Sequence, residues 1–357
     1  MNQRQQPDYF KLFSCCKIVK GFARSIIYDL QRKEYHFIPN SLYEILFLYK
    51  EKSIPEIKNG YDAESQAIID SFFQYLFDKE LAFPCQYEDL SQFPEMNNAN
   101  RETPCLLESF MVDIDEKSNH DYVKIIEPLS QLALKAIQLR CFDRMDIVFI
   151  HEIMDLIKKS DIRTVEWFIP YNRDIHPEDW EKLIHEHMKI TSITIYNAKE
   201  PDICYIQQAT LIHKQENITS CEDCGKISKN VFTCNLHLYT ESQQYNTCLN
   251  GKASVDVSGQ IRNCPSMPVG FGHYRDVSLI ETVKKPVFQQ LWKIRKDDIN
   301  VCRDCEFRYM CTDCRAYIKD KSNILSQPEK CRYNPYIAKW EGEEGYCAIN
   351  AGANNQI

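Results

Sequence analysis

The sequence predicts a multidomain α/β protein. Three observations predict it. A hairpin, two helices and a short strand fill residues 1–98, strand-like and helix-like stretches alternate over 104–220, and cysteines crowd 221–350. At 357 residues the chain is long enough for two or three units, each with its own core.

In the first unit, Cys16 to Leu30 and Glu34 to Ile38 are rich in Ile, Val, Tyr and Phe, which predicts the two arms of a hairpin turning near Gln31, Arg32 and Lys33. Ile27 falls on the exposed edge of that hairpin in this reading. Pro39, Asn40 and Ser41 then open a helix with Leu42, Ile45, Leu46 and Tyr49 at helical spacing. A second helix, from Ala63 to Lys79, buries Ile68, Ile69, Phe72, Phe73, Leu76 and Phe77, and Leu81 to Pro84 returns as a strand. Hairpin, short helix, longer helix and strand make a winged-helix-like unit. Gln92 to Thr103 is polar, with Pro and Asn, and reads as a linker.

In the middle segment, Leu106 to Val112 and Tyr122 to Ile126 read as strands, and Pro128 to Cys141 as a helix with proline in its first turn. Asp146 to Lys159 is a helix, Thr164 to Ile169 a strand, Pro177 to Lys189 a helix and Ser192 to Tyr196 a strand. Repeated βα units predict a parallel sheet or part of a barrel. The ten glycines form no phosphate-cradling loop of the GxGxxG or GxxxxGK[ST] kind. Beyond 221 the one regular element expected is an amphipathic helix from Ser278 to Arg295, and the tail Ala348 to Ile357 reads as a frayed end.

A net charge of −8 argues against a nucleic-acid partner, which calls for a basic stripe. No stretch is long and apolar enough to span a membrane, and the first residues lack a basic-then-apolar signal, so the expectation is a cytoplasmic protein. In that compartment the 17 cysteines are expected to be reduced ligands and core residues rather than disulfides.

The cysteines carry most of the functional information. They run Cys248-x10-Gly259-x4-Cys264, then Cys302-x2-Cys305-x5-Cys311-x2-Cys314, then Cys331. Two short-spaced pairs bring four sulfurs into one small volume, and Gly259 permits a tight backbone turn towards a metal. Thiolates gathered this densely indicate zinc or an iron–sulfur cluster, and spacing alone does not separate the two. Cys221-Glu-Asp-Cys224-Gly225 is a further knuckle, with Cys234 and His237 following. It is readable as a separate zinc site, as part of a cluster site, or as a vestigial pair.

This pattern resembles the SPASM domain, found C-terminal to the radical-SAM barrel in enzymes that modify ribosomally made peptides. The words ESQQYNTCLN, GQIRNCPSM, VCRDCEFRYMCTDCRAY and KCRYNPY resemble the SPASM-domain peptide maturases of grasp-with-spasm systems, closely over roughly residues 220–345 and loosely over the whole chain. The first unit resembles, in its element order, the RiPP recognition element that captures leader peptides by strand addition. The resemblance implies a leader-docking unit, a reduced radical-SAM-like βα barrel and a SPASM domain. It implies two 4Fe-4S clusters, one held by Cys302, Cys305, Cys311 and Cys331, the other by Cys248, Cys264 and Cys314 with a fourth ligand from Cys234 or Cys224. It implies a precursor peptide and an ATP-grasp ligase as partners. The alternative is a non-catalytic, substrate-presenting adaptor with structural zinc. The chain departs from radical-SAM enzymes in having no Cys-x3-Cys-x2-Cys triplet, so SAM cleavage by this chain is not expected.

The remaining candidates read as structural. Cys85, Cys105, Cys141 and Cys204 are expected as buried thiols and Cys347 as a free one. His151, His176, His185 and His187 read as surface histidines, with His185 and His187 on different helix faces. Asp113 and Asp115 read as a solvated turn, Glu343 and Glu344 as a solvated face. No nucleophile–His–acid spacing supports a hydrolase.

Overall fold

The computed structural model describes residues 8–96, 103 and 105–349; most of the expected linker after Met96, and the tail from 350 onward, lie outside these. The chain opens with β1 (Tyr9–Leu12), β2 (Cys16–Val19), β3 (Ser25–Asp29) and β4 (Glu34–Ile38). The expected single strand from Cys16 to Leu30 is two strands, β2 and β3, reversing through 20–24. Three helices follow: α1 (Asn40–Leu48), α2 (Ile54–Lys58) and α3 (Ala63–Asp78). The short α2, which periodicity misses, is set by a capping box between Ser53 and Glu56 with Pro55 in its first turn. The returning strand β5 (Ala82–Cys85) pairs antiparallel with β1, not with the hairpin.

The order β2-β3-β4 makes β3 the central strand. Ile27 is therefore paired on both sides, with Ile18 and His36, and is fully buried, which corrects its expected place on an edge. Ile27→Pro is accordingly expected to cost about 3 kcal/mol or more and to lower the thermal midpoint of the whole unit. An unchanged midpoint would contradict the sheet order. The two faces of β3 have different neighbours. Ile27 joins Leu42, Phe73 and Leu76 of the helices, while Ile26 and Tyr28 pack against Phe307, Met310 and Tyr333 of the cysteine-rich part.

The middle segment builds β6 (Ser109–Ile114), α4 (Tyr122–Gln131), β7 (Ala136–Cys141), α5 (Ile147–Lys158), β8 (Thr164–Pro170), α6 (Pro177–Glu186) and β9 (Ile190–Tyr196). The hairpin β10 (Asp202–Ile206) and β11 (Ala209–His213) follows. Two expectations fail here together. Tyr122 to Ile126 is helical because the Asp121 side chain caps the Lys124 amide and Ile125, Ile126 and Leu129 fall on one buried face. Pro128 then lies inside α4 rather than opening a helix, and 136–141 is strand β7.

After α7 (Leu236–Ser242), β12 (Lys252–Val255) and β13 (Ile261–Arg262) return to the same sheet. The result is a mixed α/β architecture on one eight-stranded sheet, in the order β10-β11-β9-β8-β7-β6-β12-β13. Pairing is parallel from β11 through β12 and antiparallel at both ends, so the sheet is open rather than a closed barrel. The cysteine-rich part is stitched to this sheet through β12. The long helix expected from Ser278 is broken into α8 (Leu279–Lys284) and a short α9 (Pro286–Gln289), because Pro286 forces Lys285 into an extended conformation. Among the described residues no helix is long and apolar enough to cross a membrane.

Candidate metal centre

Cys302, Cys305, Cys311 and Cys331 line one small cavity of about 20 Å³, walled by Phe232, Phe307, Tyr333 and Trp340. Val301, a β-branched residue at φ 69°, leads into Cys302. Such a backbone costs of order 1–3 kcal/mol and persists only where the surroundings impose it. Burial pushes the Cys302 thiol up to about 11 and the Cys311 thiol to about 12, with Lys296 opposing both shifts. Cys305 lies well above the ordinary thiol range, by burial first and then by Glu306 and the neighbouring sulfurs. Free of metal, these thiols hold their protons. A metal that binds them must displace those protons, which ties binding to folding and pH.

Lys296 is the residue that sequence reading missed. It is 4% exposed, its ammonium lying 3.8 Å from Cys302 Sγ and 3.2 Å from Asp313 Oδ1. Burial alone would depress it, but Cys302, Cys311, Asp313 and Cys331 outweigh burial and hold it well above the lysine range. A buried cation facing several thiols is a counter-charge for an anionic group.

A second set gathers Cys248, Cys264 and Cys314, with the exposed Cys224 beside them. Burial raises Cys248 to about 11, opposed by Lys252 and reinforced by Cys314 and Cys224. Cys264 rises to about 12 through burial and then Cys248, with Cys224 adding to it. Cys314 is raised by burial, and among its neighbours Cys224 acts on it as well. Gly225, at φ 81°, has no room for a side chain, since a Cβ there would lie 2.9 Å from Cys314 Sγ. Gly259 does not turn the chain towards a metal. It closes the β12–β13 hairpin at φ 84°, where a Cβ would meet the His273 ring, and that hairpin delivers Cys264.

Of the two candidates for a fourth partner, the structure brings Cys224 to this set and not Cys234. Cys234 is buried among Tyr28, Tyr239 and Phe307, its thiol donating to the Glu34 carbonyl at 3.0 Å. Cys221 is half-buried, its carbonyl accepting from Ser266 at 3.0 Å and from Tyr317 at 3.4 Å.

Buried polar groups join the two sets. Asn246 Oδ1 accepts from the Cys248 amide at 3.1 Å, while its Nδ2 donates to Asp313 at 2.6 Å. Asp313 also meets Lys296 beside Cys302, and Arg315. Beyond the second set, at the carboxyl ends of β6 and β7, Asp113 and Arg140 form a buried bidentate pair at 2.7 and 2.8 Å. Asp113 is thus not in a solvated turn; only Asp115 is, bonded to Ser118. Burial works against the Arg140 charge, and Asp113, then Cys224 and Cys264, hold it above its ordinary value. Crevices outside the carboxyl ends of parallel strands are where open α/β sheets bind ligands.

Sulfur spacing bears on the metal. One tetrahedral zinc ion at about 2.3 Å per sulfur needs thiolates about 3.8 Å apart. Among the described residues, no three of these cysteine sulfurs lie within 4.8 Å of one another. Both sets are wider than one zinc ion spans. Of the isolated cysteines, Cys85 and Cys141 are buried as expected, whereas Cys105 and Cys204 are only half-buried and Cys347 is exposed.

Fold and site together define an α/β protein with a mostly parallel sheet and two sets of cysteines in its C-terminal part. No protein-family model matches the chain, and no curated protein matches it. Among solved structures it is similar to Streptococcus suis SuiB bound to S-adenosylmethionine, with a TM-score of 0.34 and 9% identity, covering 90% of this chain and 99% of that one. A second SuiB structure gives a TM-score of 0.34 and 9% identity, covering 89% and 98%. The likeness is remote.

Proposed function

We propose that this chain is an iron–sulfur protein of peptide maturation that holds two 4Fe-4S clusters and presents a ribosomally made precursor to a modifying partner. The observation that carries the proposal is the cavity lined by Cys302, Cys305, Cys311 and Cys331 with Lys296 buried against it. Four thiols lining one pocket, no three of them within 4.8 Å of one another and with a cation alongside, suit a multi-iron core better than a single zinc ion. Cys224, Cys248, Cys264 and Cys314 supply the second set.

When bound, such clusters supply one-electron transfer. The chain's own residues set the surroundings. Phe232, Phe307 and Trp340 keep water from the first set, Lys296 offsets its negative charge, and the Asn246–Asp313 bridge holds the two sets in register. A leader peptide docks as an added strand on β4, which ends the three-stranded sheet beside α3, where Tyr75 meets His36 at 3.4 Å. The precursor's ATP-grasp ligase is a separate polypeptide, because this chain has no nucleotide-cradling loop.

Protein purified without oxygen is expected to carry about eight iron and eight acid-labile sulfide per chain, with a broad absorption near the visible edge. Zinc without sulfide would remove the redox role and leave the substrate-presenting adaptor. A docked leader is expected to slow amide exchange over Glu34–Ile38, and exchange there unaffected by the precursor would remove the docking role.

A further inference from the structure

His151, Glu186 and His187 come together away from the cysteines, on the helical side of the sheet. His151 lies within α5, Glu186 is the last residue of α6, and His187 follows it. His151 Nδ1 lies 3.1 Å from His187 Nε2 and 3.5 Å from Glu186 Oε2, and one donor atom from each residue falls within 4.8 Å of the others. His187 is buried, which corrects its expected surface position.

We propose that His151, Glu186 and His187 form a binding site for one divalent first-row transition ion of the zinc class, clamping α5 to the end of α6. Metal–ligand bonds of about 2.0–2.1 Å place the donor atoms of a tetrahedral site about 3.3 Å apart. The His151–His187 and His151–Glu186 separations, 3.1 and 3.5 Å, bracket that value. Two imidazoles and one carboxylate select zinc, cobalt or nickel over magnesium or calcium, which require oxygen donors. His187 is available as a neutral ligand, since burial and then His151 push it below the ordinary histidine range. Asp155 stands one turn after His151 on α5, and its charge acts on His187. Lys182 competes only weakly for Glu186, at 4.0 Å. The side chains of His151 and Glu186 are 26% and 48% exposed, which leaves a solvent path and open coordination positions.

The competing arrangement is two neutral imidazoles sharing one N–H···N hydrogen bond, and it needs no ion. The full-length chain, purified without oxygen, is titrated with Co²⁺. One bound ion is expected with weak visible bands and without sulfur-to-cobalt charge transfer, displaced by Zn²⁺ and untouched by excess Mg²⁺. His151→Ala, at a partly exposed position, is expected to weaken that binding at least ~10-fold, and Glu186→Gln to weaken it measurably, with iron and sulfide content unchanged in both. No nitrogen- and oxygen-ligated cobalt in the parent chain, or equal affinity in the His151→Ala chain, overturns the site. Because sulfur-bound cobalt has its own charge-transfer bands, failure here is distinguishable from failure of the cluster assignment.

Discussion

Cys305→Ala is expected to remove about four of about eight irons per chain and to loosen the C-terminal part. Cys305 shares the cavity with Cys302, Cys311 and Cys331, so under the proposed assignment its loss leaves that cluster three thiolates. Metal ligation at such a site contributes directly to folding free energy. The effect extends to the first unit, because Cys305 packs into the cluster where Ile26 and Tyr28 of β3 meet Phe307 and Tyr333. Tyr28 donates its hydroxyl to the Glu306 carbonyl there, and Arg24 pairs with the fully buried Glu306 at 2.8 Å. Metal and sulfide analysis, with a thermal melt, reads both effects. Cys234→Ala is the matched control. It opens a small cavity among aromatic residues but leaves the iron count unchanged, since Cys234 bonds to Glu34 rather than joining either set. Full iron in the Cys305→Ala chain, or halved iron in the Cys234→Ala chain, would refute the assignment.

Arg140→Ala is expected to cost about 3–5 kcal/mol at neutral pH, because it strands the buried carboxylate of Asp113. Burial already raises Asp113 above the ordinary carboxylate range, and Arg140 is the main force opposing that. Without the guanidinium the carboxyl rises further. A folded value above the unfolded one means that folding takes up a proton. The stability involved is fully present below the unfolded value of about 3.9 and is lost as pH rises through the folded value. The deficit of the Arg140→Ala chain relative to its parent is therefore largest at pH 8 and shrinks towards pH 5. Melting both proteins across that range checks the sign, and a deficit independent of pH would mean that Asp113 finds another partner.

What was legible in the sequence was what depends on spacing along the chain. Cys302, Cys305 and Cys311 fall around one cavity with Cys331 because their short spacing keeps them in one turn-rich stretch, while Cys314, three residues on, leaves that cavity for the second set. Helices α3, α5 and α6 were readable because their apolar residues recur on one face and Asp62, Asp146 and Pro177 mark their starts. Where the local signal was double, it failed. Tyr122 to Ile126 has the β-branched and aromatic content of a strand, and the Asp121 cap together with packing of its apolar face made it a helix.

The sequence by itself determined the α/β alternation, the thiol-rich chemistry and the lack of a SAM-binding cysteine triplet, since each is a matter of residue type and separation. Tertiary structure alone decided the rest. It placed Ile27 at the centre of its sheet, added β12 to the middle sheet and chose Cys224 over Cys234. It also buried Lys296 against Cys302 and brought His151 to His187. Each of those contacts joins residues from different elements or opposite sides of a strand, and burial and charge pairing, which act through space, select them.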